Sequence, residues 1–223
     1  MRKNISVLSL IFFLALLFSC GLDVYYFIEP PINSSAIQNP TDPAQQFFTF
    51  TTQDSINTDT GIVGNVKFLG TQVYYKIYDD LDILLKQKNQ IDSVNSEYSE
   101  NGYNKLLSLN FQKLNSNPYS DPLIKKSSTN SNQKITIVLQ ENSYNQPSIE
   151  VDDTKIGIPL RYDLSTFDTT SGNGFSGEDT EEKTDSSEKS ENYYVLLYAV
   201  SVGSVNLSQR VYSSILSLGY LEI

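Results

Sequence analysis

Apolar and polar residues alternate along much of this chain, and a period of two is typical of half-buried β-strands. The segments that alternate in this way, or are continuously apolar, predict strands at 22–28, 47–52, 72–78, 135–139, 148–151, 155–162, 193–202 and 211–223. Pro30 and Pro31 end the first of these strands, and the stretch that follows, up to Pro43, predicts an extended loop. The pattern therefore predicts a mainly β fold.

The residues of two later segments indicate where their strands lie in a sheet. Pro159 has no N–H to donate to a ladder, so the segment 155–162 is predicted to be an edge strand. The segment 193–202 is apolar on both faces, which indicates a central strand covered on both sides or a strand in the core of a sandwich. A polar turn at 203–209 joins it to 211–223, and the pair predicts a C-terminal hairpin.

Between these strands the period changes to that of a helix. One apolar stripe recurs at helical spacing, with Asp79 or Asp80 as its N-cap: Leu81, Leu84, Leu85, Ile91 and Val94. A second set follows Gly102: Tyr103, Leu106, Leu107, Phe111 and Leu114. We therefore expect residues 79–117 to form a helical insertion between strands.

Residues 169–192, rich in Gly, Ser and acidic side chains, are predicted to form a mobile loop.

Two strands resemble those of a known fold family. The run Tyr74-Tyr75-Lys76-Ile77-Tyr78 resembles the third strand of fibronectin type III and immunoglobulin-like sandwiches, and residues 194–200 resemble the sixth. The resemblance implies one antiparallel β-sandwich domain over residues 20–223. Two features depart from the family pattern, because the chain has no tryptophan and places the helical segment where a short connection is usual.

The first 21 residues have the pattern of an export signal. Arg2 and Lys3 precede an apolar stretch of fourteen residues, 5–18, and Ser19 and Cys20 follow it. A helix of that length spans roughly 21 Å, less than the ~30 Å hydrocarbon core of a bilayer, so a cleaved signal fits better than a permanent membrane span.

This segment resembles a bacterial lipoprotein signal, through Leu17, Ser19 and Cys20, and its relaxed form is similar to signals of spirochaete lipoproteins. Phe18 departs from the pattern, in which a small or β-branched residue is usual. The resemblance implies cleavage after residue 19, lipidation of Cys20, and a protein held in the cell envelope, on the inner or outer membrane and facing the periplasm or the outside. The alternative is an ordinary secretory signal with a cysteine nearby by chance.

Composition excludes several functions of the mature chain. Without Arg2 and Lys3, 14 basic residues stand against 26 acidic ones, and this net charge of −12 disfavours nucleic-acid binding. Histidine is absent and Cys20 is the sole cysteine, so His-dependent catalysis, disulfides and thiolate or His-ligated zinc sites are excluded. We expect no enzyme activity, no cofactor and no metal.

Three weaker patterns have ordinary structural explanations. Asp79, Asp80 and Asp82 offer oxygen ligands to calcium, but helix capping explains them as well. The run 125–128 contains the elements of a Ser-Lys dyad on a polar loop, and Asp152-Asp153 suits a solvated turn.

Aromatic side chains on the strand faces opposite the predicted core suggest an interaction surface. These residues are Tyr25, Phe27, Tyr74, Tyr78 and Tyr193. Together they would mark a contact with protein or carbohydrate, unless a second sheet or the helical segment covers them. The sequence thus favours a lipid-anchored envelope protein with an interaction or structural role and an unknown envelope or extracellular protein partner. A carrier holding a lipid or other apolar ligand between sandwich and helical insertion is the alternative.

Overall fold

Two β-sheets and two helices make up the computed structural model, which describes residues 27–36, 45–57, 66–141, 145–168, 180–181, 193–205 and 209–223. The helices are α1 (Leu81–Asp92) and α2 (Asn101–Ser108). The strands of the described residues are β1 (Ile32–Ala36), β2 (Phe48–Thr51), β3 (Val66–Tyr78), β4 (Gln112–Lys113), β5 (Asn115–Asn117), β6 (Ile124–Lys125), β7 (Lys134–Val138), β8 (Ser148–Val151), β9 (Thr154–Leu160), β10 (Thr180–Glu181), β11 (Tyr194–Val205) and β12 (Gln209–Glu222).

The strands form a mainly antiparallel sandwich, as the sequence predicts at this level. The first sheet has the order β1-β2-β7-β8-β9-β5, and the second has the order β10-β3-β11-β12, with β4 and β6 also paired to β3. Only the short β10 is parallel to its neighbour among the described pairs. Residues 112–117 pass from the second sheet to the first, since β4 pairs with β3 and β5 pairs with β9.

The main core lies between the sheets and follows the predicted alternation. Phe48 and Phe50 lie on one face of β2, are buried, and face the inward side chains of β3. The inward side chains of β3 are Val73, Tyr75 and Ile77, and those of β7 include Ile135 and Ile137. The inner faces of the strands were therefore predictable from a period of two.

The C-terminal hairpin is confirmed. β11 pairs with β3 on one side and with β12 on the other along its whole length, so it is the central strand that its apolar faces predicted. The predicted loop 169–192 lies outside the described residues except for β10, which pairs with Ile77 and Tyr78 of β3.

The structure corrects two predictions about the outer strands. Residues 22–26 lie outside the described part, residues 27–31 are not in a strand, and the predicted loop after Pro31 contains β1 instead. The polar sequence of β1 has no apolar alternation that would predict a strand, and pairing with β2 holds it in an extended conformation. The edge position of β9 is wrong in part, because residues 154–157 pair with β8 and residues 158–160 pair with β5. Pro159 thus lies where the strand has passed to its second partner.

The helical segment is shorter than predicted. Asp80 is the N-cap of α1, and its carboxylate accepts hydrogen bonds from the N–H groups of Asp82 (2.8 Å) and Ile83 (3.2 Å). The predicted helical region 79–117 ends early, because Asn110 takes a positive φ of 59° and the chain then extends as β4 and β5. Leu114, predicted on a helix, instead lies in the main core.

Both helices cover the outer face of the second sheet, and the residues between them cover the edge of β12. The side-chain amide of Asn95 donates to the carbonyl of Ile215 (2.8 Å) and accepts from its N–H (3.0 Å). The carboxylate of Glu100 accepts from the N–H of Tyr212 (2.8 Å). These bonds satisfy backbone groups that an open edge strand would expose.

Candidate interaction surfaces

The structure separates the five aromatic residues that the sequence grouped as one exposed surface. Tyr25 and the predicted lipidation site Cys20 lie outside the described residues. The prediction of exposure is wrong for Tyr74 and Tyr78, which are 2% and 0% exposed. Phe27 and Tyr193 are half-buried. The helices are the reason, because they cover the outer face of β3 with a second apolar cluster.

Tyr74 belongs to a chain of tyrosines beneath α2. Its hydroxyl lies 3.3 Å from that of Tyr103, and the Tyr103 ring stacks on Tyr212 with centroids 3.9 Å apart. Burial raises the pKa of Tyr74 and of Tyr212 to about 12 and raises the pKa of Tyr103 still further. These phenols are therefore neutral and structural near neutral pH.

Tyr78 is tied to α1 through a shared acceptor. The Tyr78 hydroxyl donates to Oε1 of Gln87 (3.0 Å), and Nζ of the buried Lys76 donates to the same oxygen (3.3 Å). Lys76 also donates to the backbone carbonyl of Leu109 (2.6 Å). The outer face of β3 is thus a sheet–helix contact and not a free surface.

Tyr198 of β11 makes the corresponding contact with the end of α1. Its hydroxyl donates to Asp92 (3.1 Å), and Lys88 forms an ion pair with the other carboxylate oxygen. Burial and the nearby Asp92 carboxylate raise the pKa of Tyr198 far above its usual value. The space between helices and sheet is occupied by these side chains.

A half-buried and an exposed aromatic side chain pair elsewhere, where the sequence gave no periodic signal. The Phe27 ring packs edge-on against Tyr98, with centroids 4.2 Å apart, and Tyr98 is 67% exposed. Tyr98 lies between the helices in a polar segment. Only its aromatic character among polar neighbours could have drawn attention to it.

This pair lies where the described chain begins, at one end of the second sheet. Ile28 is buried against the start of β3 and the β11–β12 hairpin in a small cluster with Phe68, Val205 and Val211. Asn57 holds the next residue, because its side chain accepts from the N–H of Glu29 (2.8 Å) and donates to its carbonyl (3.0 Å). We call this end, defined by Phe27, Ile28, Lys67, Tyr98 and Arg210, the lower end.

Basic side chains of the second sheet also lie at the lower end. Lys67 of β3 and Arg210 of β12 both pair with Ser204 of β11 and are exposed. Directly paired residues point to the same face of a sheet, so the two side chains lie on one face, roughly 10 Å apart. Arg210 also lies 3.5 Å from Asp121, which in turn lies 3.7 Å from Lys113.

A shallow cleft lies on the outer face of the first sheet. Its volume is about 370 Å³, and its lining is mostly polar, including Thr136, Ser148, Glu150 and Lys155. The Ser148 hydroxyl donates to Glu150 within the cleft (2.9 Å). This lining suits water or a small polar molecule better than an apolar ligand.

The weaker motifs have structural roles. The Ser127 N–H bonds to the buried carboxylate of Asp54 (2.5 Å), and its hydroxyl lies 3.0 Å from that of Thr129. Asp152 and Asp153 have positive φ in the β8–β9 turn and bond to Lys134. In the part of the chain that the structure describes, no three His, Cys, Asp or Glu residues are grouped as metal ligands.

Comparison of the chain with protein-family models, with curated proteins and with solved structures finds no match. Within the described ranges, no helix combines the length and apolar character needed to cross a bilayer.

Proposed function

We propose that this protein is a lipid-anchored cell-envelope lipoprotein with a non-enzymatic, interaction or structural role. The observation that carries the proposal is the sequence that ends in Leu17-Phe18-Ser19-Cys20, with a folded domain that begins by Phe27. Two or three acyl chains on Cys20, at ~0.8 kcal/mol for each buried methylene, hold such a domain at a membrane stably. The membrane is the inner or the outer one.

The order of the second sheet supports the finer proposal of an immunoglobulin-like or fibronectin type III-like sandwich. The neighbours β3, β11 and β12 correspond to strands C, F and G, and β1, β2 and β7 correspond to A, B and E. One difference is that β8, in the position of strand D, follows β7 in the chain instead of preceding it. In this interpretation the two helices are an insertion after strand C.

The buried charged side chains bond to the backbone of the fold, which favours an interaction role over catalysis. Asp54 accepts from a backbone N–H and Lys76 donates to a backbone carbonyl, so both groups support the fold. An interaction role is also favoured over an apolar-ligand carrier. The proposed carrier site is the layer between sheet and helices, where aromatic rings contact one another directly.

Metabolic labelling with a fatty-acid analogue tests the anchor. We expect the full-length protein to carry the label and to fractionate with membranes, and Cys20→Ala to lose both properties. Label and membrane association that are unchanged in Cys20→Ala would overturn the proposal.

Chemical crosslinking of intact envelopes tests the interaction role, which predicts a discrete crosslinked species of higher mass. A protein that stays monomeric under conditions that crosslink its neighbours would contradict that role.

A further inference from the structure

The lower end of the domain brings together features that suit a membrane surface. It combines the beginning of the described chain, an exposed tyrosine packed on a half-buried phenylalanine, and basic side chains on one face of the second sheet. We propose that this end docks onto the anionic lipid surface of the membrane that holds the protein. The inference rests on the proposed lipidation of Cys20 and deepens it, because it specifies which face meets the bilayer.

The distance from the anchor restricts which part of the domain reaches the bilayer. Six residues lie between Cys20 and Phe27, so the connection has seven Cα-to-Cα steps. Even a fully extended chain covers at most about 3.6 Å per residue, or roughly 25 Å in total. Ile28 is buried against β3 and the β11–β12 hairpin, so this short connection attaches to the lower end and not to a loop elsewhere.

The charges of the lower end differ from those of the chain as a whole. The mature chain has a net charge of −12, and an anionic surface repels most of it. Lys67 and Arg210 are exposed side by side across β11, and Lys125 follows on β6, which pairs with the Gly70 region of β3. Asp121 offsets part of the charge through Arg210 and Lys113, and the exposed Glu97 and the half-buried Glu29 and Glu100 also lie at this end. The basic side chains would favour this end over others at an anionic surface.

The exposed Tyr98 is the second feature that would attract this end to a lipid surface. Tyr98 is 67% exposed and is held by the Phe27 ring. Glu100, two residues later, fixes this segment to β12 at Tyr212, two residues from Arg210. Tyrosine is enriched at the membrane–water boundary, because its ring is apolar and its hydroxyl remains hydrated. The aromatic and basic groups therefore lie at the same end of the same sheet.

The opposite, upper end supplies a matched control. β7 begins at Lys134, beside the Thr52–Asn57 segment of the lower end, and runs toward Gln140, whose side chain donates to the carbonyl of Phe167. Tyr162, 38% exposed, lies in the same 161–168 segment as Phe167. The chain has no native tryptophan, so Tyr98→Trp and Tyr162→Trp each give a single fluorescent reporter.

The experiment reconstitutes the full-length, processed lipoprotein into vesicles of phosphatidylcholine and phosphatidylglycerol whose acyl chains are brominated near the glycerol. Brominated lipid is expected to quench Tyr98→Trp at least about threefold more than Tyr162→Trp, and the emission of Tyr98→Trp should shift to shorter wavelength. Equal quenching of the two reporters overturns the inference. Mass spectrometry of the same samples reports the lipid on Cys20. Absence of that lipid overturns the proposed function and this inference together, whereas lipid present with equal quenching overturns the inference alone.

Charge reversal tests the basic contribution. In the Tyr98→Trp background, Lys67→Glu or Arg210→Glu should lower the ratio of docked to undocked protein by about fivefold or more each. Lys86→Glu, the same change on an exposed residue of α1, should leave it unchanged. Equal effects of all three variants, or quenching that is the same in vesicles of phosphatidylcholine alone, would overturn the choice of an anionic lipid as the partner.

Discussion

Gly102 packs closely against Asn95. We therefore predict that the effect of Gly102→Ala on the free energy of unfolding changes sign when the Asn95 side chain is removed. Asn95 fixes the segment between the helices to β12 through two hydrogen bonds with the backbone of Ile215. A Cβ at residue 102 would lie 2.5 Å from Oδ1 of Asn95 and 3.0 Å from its Cβ and Cγ. Gly102→Ala therefore forces the amide of Asn95 away from β12.

The expected magnitude follows from two opposing contributions. Replacing glycine by alanine inside a helix favours folding by up to about 1 kcal/mol. Displacing the amide breaks two hydrogen bonds and leaves part-buried backbone groups of Ile215 unsatisfied, at a cost of about 2–4 kcal/mol in total. The loss is the larger contribution, so Gly102→Ala should lower the free energy of unfolding by about 1–3 kcal/mol. In a chain of this size each kcal/mol lowers Tm by about 2–4 °C.

Urea unfolding of four proteins completes a double-mutant cycle: the parent, Gly102→Ala, Asn95→Gly and the double variant. Asn95→Gly alone should destabilise, because it removes both bonds to Ile215. In that background the side chain that opposes Ala is gone, so Gly102→Ala should now raise the free energy of unfolding by up to ~1 kcal/mol. A Gly102→Ala effect of the same sign and size in both backgrounds would refute the proposed contact.

Three further predictions concern other parts of the fold. Asp80→Ala removes the N-cap of α1 and should cost about 1 kcal/mol in urea unfolding, whereas Asp80→Ser should restore most of it; equal losses would contradict the cap. The phenols of the buried Tyr74 and the half-buried Tyr212, with pKa values of about 12, favour the folded state fully below pH 10 and lose that effect as the pH rises toward 12. The free energy of unfolding should therefore fall between pH 10 and 12. Complete tyrosine ionisation of the folded protein by pH 11, measured at 295 nm, would be incompatible with this. Removal of residues 221–223 takes a buried leucine and the pairing of Ile223 with Tyr193 from the hairpin, and should lower Tm by several degrees. An unchanged Tm would count against the hairpin's role.

The sequence predicted the inward faces of the strands better than their outward faces, for a physical reason. A period of two assigns Val73, Tyr75 and Ile77 to one side of β3 and Tyr74 to the other. It does not reveal whether that other side meets water or helices, because tyrosine suits both environments. A clue was present in β11, which is apolar on both faces. Because β11 and β3 are neighbours in the sheet, the helices that cover the outer face of β11 also cover the outer face of β3.

The structural features that the sequence did not predict depend on contacts between distant residues. β1 has a polar sequence, and its pairing with β2 determines its conformation. The end of the helical region at Asn110 depends on a positive φ, and the short strands that follow exist because they bridge the two sheets. The Phe27–Tyr98 pair joins residues 71 positions apart without any periodic pattern. None of these features has a local signal that pattern reasoning can detect.

The basic side chains of the lower end lie on strands and not on loops, and this affects the orientation that the domain would take at a membrane. Lys67 and Arg210 lie on the long strands β3 and β12, and both are paired to β11. Sheet hydrogen bonds therefore set the positions of these two side chains relative to each other, and Ile28 packs against the same strands. A rigid end that docks through two basic side chains and an aromatic pair restricts the tilt of the whole sandwich as well as its distance from the bilayer. The proposed docking consequently directs the upper end, with the exposed Leu164, away from the lipid, where a partner in the envelope would be met.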